Sequence, residues 1–392
     1  MKKRILFTID SLHIGGAEKS LVTLLNLLDY NRFDVDLQLF SHGGTFEQFL
    51  PKEVHILEPL DYTKFLSKNI FKQLFSLKYF ISRIKYSLLI HQKNLSHADR
   101  ARFYWKTIGK QIHKAKKKYD IAVGYGQCIP TFYIIDKVQA GKKYVWVNCE
   151  FNLEGINKDY QKRFYSKADK IAIVSEKALE KFKAIYPEYG EKMKLVLDMY
   201  NSKLIQDMSQ LNSEKEIDKS VPVLMTTGRL NKPQKGYDIA LETANCLKEK
   251  GIKFHWYAIG EGPYRSEMEQ YIKEHGLEEY FILLGATPNP YSYMRQCDVY
   301  IQTSKEEGFG LTIAEAKTLN LPIICTPFKT CYMQINDGVN GLITTFNPCD
   351  IANTIESLLK DKNLYFKIKD NLSKEKKGNT EEIKNFYKLL ES

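Results

Sequence analysis

Ser304-Lys305-Glu306-Glu307-Gly308-Phe309-Gly310-Leu311-Thr312-Ile313-Ala314-Glu315-Ala316 is the stretch on which the reading of the fold turns. It follows a stretch, Val299–Thr303, that reads as a strand, and it opens a helix. A strand passing through a glycine turn into a helix is the repeating step of a parallel α/β sheet. Gly308 and Gly310 let the backbone approach a ligand closely. The N–H groups at a helix start make a place for phosphate. Glu307 lies in front of that start and Glu315 about one turn inside it. Carboxylates repel phosphate, so these two suit hydroxyl groups. Hydroxyls on both sides of a diphosphate describe a nucleotide sugar. Thr312-x-x-Glu315 also reads as a capping box, which would leave Glu315 a helix-start residue and nothing more.

The same alternation extends in both directions. Strands are expected at Val223–Thr227, Phe254–Ile259, Phe281–Leu284, Ile323–Cys325 and Gly341–Thr344, with helices such as Tyr237–Lys250 and Tyr264–Glu274 between them. Towards the N-terminus, Ile5–Ile9 reads as a strand, His13-Ile14-Gly15-Gly16 as a turn, Ala17–Leu28 as a helix and Val35–Phe40 as a second strand. Ile121–Tyr125, Tyr144–Val147 and Lys170–Val174 continue the strands, and Ser175–Tyr186 reads as a helix. No short tandem repeat is visible. A chain of 392 residues exceeds one ordinary core. The expected domains are 1–205, carrying an insertion at 62–118, and 206–378, with 379–392 a C-terminal helix that crosses back onto the first. Each would hold an open parallel sheet, with ligands at the carboxyl ends of the strands and the cleft between the sheets as the natural site.

The formal net charge of +11 attracts anions without choosing among nucleic acid, membrane and phosphorylated substrate. Of the seven cysteines none forms a C-x-x-C pair, so neither a zinc site nor a redox motif is expected, and the setting reads as reducing and cytoplasmic. The apolar run after Met1-Lys2-Lys3-Arg4 is too short for a signal peptide, and no apolar stretch is long enough to span a bilayer. Asp34-Val35-Asp36 has the D-x-D spacing of metal-dependent transferases but starts a strand, and is expected to face solvent.

The chain resembles the retaining glycosyltransferases of family 4, which have the two-domain GT-B architecture. Their E-x7-E pattern, S-x-x-E-G-F-G-L-x-x-x-E-A, stands at Ser304 to Ala316, followed by Leu321-Pro322-Ile323-Ile324. Gly15-Gly16-Ala17-Glu18, Ala168-Asp169-Lys170, Gly228-Arg229-Leu230 with Lys235-Gly236, Gly260-Glu261-Gly262-Pro263 and Asn340-Gly341-Leu342 match in order. The resemblance implies that Glu307 contacts the donor sugar as the catalytic residue and that Glu315 binds the ribose hydroxyls. It implies that Arg229 and Lys235 hold the diphosphate, with Gly16, Phe309, Gly310 and Leu311 completing the donor set. Two cations and a helix start would stabilise the departing nucleoside diphosphate without a metal or a cofactor. Gly15 faces the donor phosphate and acceptor in this scheme. Where many relatives carry a histidine near the donor sugar, this chain has Asn148, which hydrogen-bonds but is no general base, so no catalytic histidine is assigned.

Residues 64 to 118 combine many lysines and arginines with a single acid, Asp99, and with Phe65, Phe71, Phe75, Phe80, Tyr86, Phe103, Tyr104 and Trp105. Leu74, Leu77, Ile81, Ile84 and Leu88 follow helical spacing. A basic helix with an apolar face suits an anionic membrane interface, and equally a core-facing stripe with a solvated back. No nucleic-acid motif accompanies it, so no nucleic-acid partner is expected.

The expectation is an α/β GT-B enzyme moving a hexose from a UDP-sugar, with retention, to a saccharide carried on a lipid at the inner face of the cell membrane, in cell-surface polysaccharide synthesis. Alternatives are a nucleotide-sugar epimerase or phosphorylase of the same fold, and a non-catalytic membrane- or nucleic-acid-binding protein. A nicotinamide dehydrogenase is disfavoured because the first turn lacks G-x-G-x-x-G.

Overall fold

The computed structural model describes residues 2–13, 15–67, 76–91, 95–148 and 153–391. The chain forms two compact units, Met1–Asp198 with Glu381–Ser392, and Met199–Thr380. The chain leaves the first unit a little before the expected boundary at 205, and its last residues return to it.

In the first unit the strands are β1 (Lys3–Ile9), β2 (Phe33–Leu39), β3 (Val54–Ile56), β4 (Lys118–Gly124), β5 (Gln139–Val147), β6 (Lys170–Ile173) and β7 (Met193–Leu195). They form one sheet in the order β3-β2-β1-β4-β5-β6-β7, every pair parallel. Ile5 to Ile9, Thr8 included, are all buried, as a strand covered on both faces requires. Crossovers run outward in opposite directions from β1 and β4, so the carboxyl ends of these two strands flank the crevice that such sheets use for ligands. The edge strands β3 and β7 were not expected from the sequence. Each has three residues, too few for a periodic signal.

The C-terminal helix, Ile383–Glu391, belongs to the core of this unit. Phe386 is fully buried. Its ring lies 6.1 Å from that of Phe7 and 6.0 Å from that of Trp146, and Tyr387 stacks on Phe33.

The second unit holds β8 (Val223–Thr227), β9 (His255–Ile259), β10 (Phe281–Gly285), β11 (Val299–Gln302), β12 (Ile323–Cys325) and β13 (Leu342–Ile343). Their order is β10-β9-β8-β11-β12-β13, again all parallel, with the direction change between β8 and β11. Both units are thus doubly wound α/β sheets.

The insertion contributes helices Asp61–Leu66, Leu77–Ile90 and His97–Thr107. Ser96 starts the last of these in a reciprocal capping box with Asp99. Tyr62, Phe65 and Ile108 form a small core against which Tyr79, Phe80, Tyr86 and Tyr104 pack. The aromatic face of helix Leu77–Ile90 therefore points inward. Its aliphatic residues Leu77, Ile81, Ile84 and Leu88 are 64%, 42%, 45% and 71% exposed. This stripe does not face the core. Lys68, Phe71, Lys72, Leu74, Phe75 and Lys93 lie outside the described residues.

The D-x-D pair also departs from expectation. Asp34 is exposed, but Asp36 is buried. It accepts hydrogen bonds from Tyr119 Oη (2.7 Å) and Lys117 Nζ (2.9 Å) and meets His55 Nδ1 at 2.9 Å. Burial alone would raise its pKa, but the bonds from Lys117, Tyr119 and His55 outweigh burial and hold the carboxyl below its usual value. Asp36 thus ties β2 to its neighbour β3 and, across β1, to the start of β4.

Candidate active site

The glycines after β8 and β9 pack two turns closely together. A Cβ at Gly260 would meet the Gly228 carbonyl oxygen at 1.8 Å, and one at Gly262 would meet that of Leu230 at 2.3 Å. Glycine is therefore needed where the Gly260-Glu261-Gly262 turn presses on Gly228-Arg229-Leu230. A short helix, Lys232–Lys235, follows and stops at Gly236, which is left-handed at φ 62°. Any Cβ there would lie 2.1 Å from the Thr303 carbonyl oxygen. The Lys305 N–H donates to Gln234 O at 2.8 Å, and Thr303 Oγ1 donates to Lys235 O at 3.2 Å. These contacts pin Lys235 beside the end of β11.

Glu307 sits directly above. Its Oε1 accepts from Lys235 Nζ (2.6 Å), Gln302 Nε2 (2.7 Å) and Ser304 Oγ (2.6 Å). Glu307 is only 9% exposed, so the carboxylate is desolvated but well paired. Among the described residues no partner reaches its Oε2. Behind it, Gln302 Oε1 accepts from Tyr300 Oη at 2.8 Å and Thr312 Oγ1 at 3.1 Å, which fixes the amide that holds the acid.

Gly310, left-handed at φ 84°, caps helix Leu311–Thr318 without a side-chain hydrogen bond. Gln334 Nε2 donates to the carbonyls of Phe309 and Gly310, and Thr330 Oγ1 donates to that of Glu307 at 3.2 Å. The loop is thus latched from below. The capping-box reading of Thr312 and Glu315 does not hold: the cap is Gly310, and the Thr312 hydroxyl turns to Gln302. Glu315 is buried and accepts from Tyr291 Oη at 2.9 Å. Burial, reinforced by the Glu315 charge, raises the Tyr291 phenol well above its ordinary range and keeps it a donor.

The structure thus gathers Glu307, Lys235, Phe309, Gly310, Leu311 and Glu315 around one helix start. Arg229 is exposed at the end of β8 and has no ion pair among the described residues. Gly15, Gly16 and Asn148 belong to the other unit. Gly15 caps helix Gly16–Leu27 after β1, and Asn148 follows β5. Asn148 Nδ2 donates to Tyr125 O at 3.2 Å, and its Oδ1 is buried with no partner among the described residues.

Sequence reasoning missed Gln302, Ser304, Tyr291 and Gln334 as supports. Gln302 alone had a local signal, a polar residue ending an apolar strand. It also missed Asp10 and Asp198 near the start of helix Gly16–Leu27. Burial, with repulsion from Glu18, raises both carboxyls to about 7, although a Ser20 hydrogen bond offsets part of this at Asp198. No group of three or more His, Cys, Asp and Glu side chains placed to hold a metal ion occurs among the described residues.

The two doubly wound units and this helix-start site define the GT-B class of fold. Residues 207–375 match the family model described as Glycosyl transferases group 1. Over 359 residues the chain is 25% identical to the N-acetylgalactosamine-N,N'-diacetylbacillosaminyl-diphospho-undecaprenol 4-alpha-N-acetylgalactosaminyltransferase of Campylobacter jejuni, covering 91% of this chain and 90% of that one. An uncharacterized glycosyltransferase of Methanocaldococcus jannaschii is 28% identical over 43% of this chain and 42% of its own length. The poly(ribitol-phosphate) alpha-N-acetylglucosaminyltransferase of Staphylococcus aureus is 31% identical over 33% of this chain and 27% of its own. Several relatives are thus matched over less than half their length. Among solved structures, Anabaena HepE in complex with UDP and glucose superposes with a TM-score of 0.70 at 20% identity, covering 100% of both chains. The family match and the relatives support a transferase enzyme.

Proposed function

We propose that this chain is a retaining, metal-independent glycosyltransferase of the family 4 type that needs no cofactor. It moves a hexose from a UDP-sugar to a saccharide acceptor carried on a lipid, in cell-surface polysaccharide synthesis. The observation that carries the reading is Glu307 held on one oxygen by Lys235, Gln302 and Ser304 at the start of helix Leu311–Thr318, with Glu315 farther along the same helix. In this reading Glu315 takes the ribose hydroxyls, and Arg229, Lys235 and the helix start take the diphosphate. Glu307 Oε2 faces the sugar and stabilises an oxocarbenium-like state. As the glycosidic bond breaks, negative charge builds on the nucleoside diphosphate, and two cations with aligned N–H groups stabilise it. Asn148 Oδ1 supplies an acceptor for a sugar hydroxyl. The lipid-borne acceptor is supported by the undecaprenol-linked substrate named for the Campylobacter relative, and the UDP donor by the HepE complex.

Attachment at the cytoplasmic membrane face belongs to the same proposal. No helix among the described residues is long and apolar enough to cross a membrane. The exposed aliphatic stripe of helix Leu77–Ile90, with Lys78, Arg83 and Lys85 on the same helix, supports peripheral contact.

The test is a transfer reaction with UDP-hexoses and a lipid-linked saccharide in excess EDTA, with the product anomer read by NMR. An α-linked product from an α-linked donor is expected. Loss of transfer to EDTA with rescue only by a divalent ion would overturn metal independence. Donor isomerised without acceptor would point to an epimerase, and a strict need for phosphate to a phosphorylase.

A further inference from the structure

The first unit contains a second concave site that the donor chemistry does not use. It is a cavity of about 540 Å³ walled by Trp105, Lys106, Lys110, Lys137, Tyr160 and Arg163, with Asp136 at its side. Its place follows from the topology. Lys137 ends the helix Ile129–Lys137, two residues before β5 begins. The cavity therefore opens at the amino ends of the strands, the opposite edge of the sheet from Gly15-Gly16.

Its charge is unbalanced. Four cations line it against one carboxylate. That carboxylate is already engaged: Asp136 Oδ2 accepts from Trp105 Nε1 at 2.8 Å and lies 3.4 Å from an Arg163 guanidinium nitrogen. Lys106, Lys110 and Lys137 have no ion pair among the described residues. Burial pushes the Lys137 ammonium below its usual pKa; Asp136 offsets part of this, and Lys114 and Lys78 push it further down. Lys106, Lys110 and Lys137, the first two exposed, thus share one concave surface on which Asp136 is the single carboxylate, and an anion would relieve their mutual repulsion.

The wall is also aromatic. Tyr160 is 9% exposed, and its ring carries Arg163 at 4.6 Å and Lys106 at 5.3 Å. Trp105 is 4% exposed and held by its bond to Asp136. The Tyr160 ring therefore holds Lys106 and Arg163 against one wall, and the volume exceeds what a bare phosphate fills.

We propose that this cavity binds a phosphate ester, its phosphate on Lys106, Lys110 and Lys137 and its organic part against the aromatic wall. The ligand is either a phospholipid headgroup or a soluble phosphorylated metabolite, and the inference stands apart from the donor reading. Two probes separate the sources: glycerol 3-phosphate in solution, and vesicles of phosphatidylglycerol against vesicles of phosphatidylcholine. Calorimetry on the full chain is expected to show saturable binding of at least one probe, weakening with salt. The Lys110→Gln/Lys137→Gln variant, with an unchanged melting temperature, should bind about tenfold or more weakly. Lys110→Gln and Lys137→Gln singly should fall between, which keeps the test usable if the double variant does not fold. Binding of glycerol 3-phosphate assigns the soluble source, and binding of phosphatidylglycerol vesicles alone, lost in Lys110→Gln/Lys137→Gln, assigns the headgroup to this cavity rather than to helix Leu77–Ile90. A native protein that binds neither probe, or variants that bind as well as the native chain, would overturn the proposal.

Discussion

Lys235 reaches Glu307 at 2.6 Å at the spot where a diphosphate is expected, so one cation is shared between two anions once donor binds. That sharing makes the two glutamates separable. Glu307→Gln removes the charge that competes for Lys235. It should lower turnover by about a hundredfold or more, the scale of losing one aligned electrostatic partner, while UDP affinity holds or rises. Glu315→Gln should instead weaken UDP and intact donor together, by about 1–3 kcal/mol for a disturbed buried hydrogen bond. Titration calorimetry beside steady-state rates checks both, and equal losses of UDP affinity in the two variants would refute the division of roles. Two buried carboxyls, Asp10 and Asp198, bear on the pH dependence of stability. The Asp198 carboxyl is raised from 3.8 to about 7 by burial and Glu18, less what Ser20 returns. The fold therefore favours its protonated form. Its contribution is fully present below the unfolded value near 4 and is lost as pH rises through about 7. Asp198→Asn should accordingly gain in melting temperature relative to the native chain as pH goes from about 5 to about 8. A difference that is flat or shrinks over that range would show that this carboxyl does not limit stability.

Helix Leu77–Ile90 shows what an element can and cannot reveal in sequence. Its period of 3.6 separates an aromatic face from an aliphatic one, but both are apolar, and nothing local says which turns inward. The answer lies in Tyr62, Phe65 and Ile108 on neighbouring segments, which take Tyr79, Phe80 and Tyr86. If the outward stripe meets a membrane, each cation near an anionic leaflet adds about 1 kcal/mol, screened over about 8 Å in physiological salt. Binding to phosphatidylglycerol vesicles should fall with salt. Ile81→Ser/Leu88→Ser should weaken it without touching UDP affinity, and so should Lys78→Glu/Lys85→Glu. Sedimentation with vesicles checks this, and indifference to both variants would remove the helix from the membrane reading. The strands were far easier to read. Ile323–Cys325 is an unbroken apolar run, and Val223–Thr227 opens with three apolar residues; both are buried along their whole length, as central parallel strands are. The site was readable as far as its pattern is local: Glu307, Gly310 and Glu315 share one turn and helix. Tyr291 was not, because it meets Glu315 across 24 positions of chain with no periodic mark. Asp36 misled for the same reason, since Lys117 and Tyr119 reach it from 81 and 83 positions away.

At the scale of the whole molecule, the chain passes out of the first unit after Asp198 and returns at Glu381, so the first core is completed only by the last helix. Phe386 fills it between Phe7 and Trp146, Asp29 donates its N–H to Tyr387 Oη at 2.9 Å, and Arg32 pairs with Glu391. The second unit has its own core, built around residues such as Trp256, Tyr237 and Ile301. Two cores make unfolding more than a two-state event, and a single melting temperature then hides which unit fails. Ligand identifies the transitions, because UDP held by the second unit raises the stability of that unit alone. Phe386→Ala removes a fully buried aromatic ring and should destabilise the first unit by about 3–5 kcal/mol. Scanning calorimetry should then show the UDP-insensitive transition moving to lower temperature. The transition that UDP raises should stay in place. Truncation before Ile383 should act in the same direction and more strongly, since it uncovers Phe7 and Phe33 as well. If both transitions shift together in Phe386→Ala, the two cores are one cooperative unit and the last helix stabilises the whole chain.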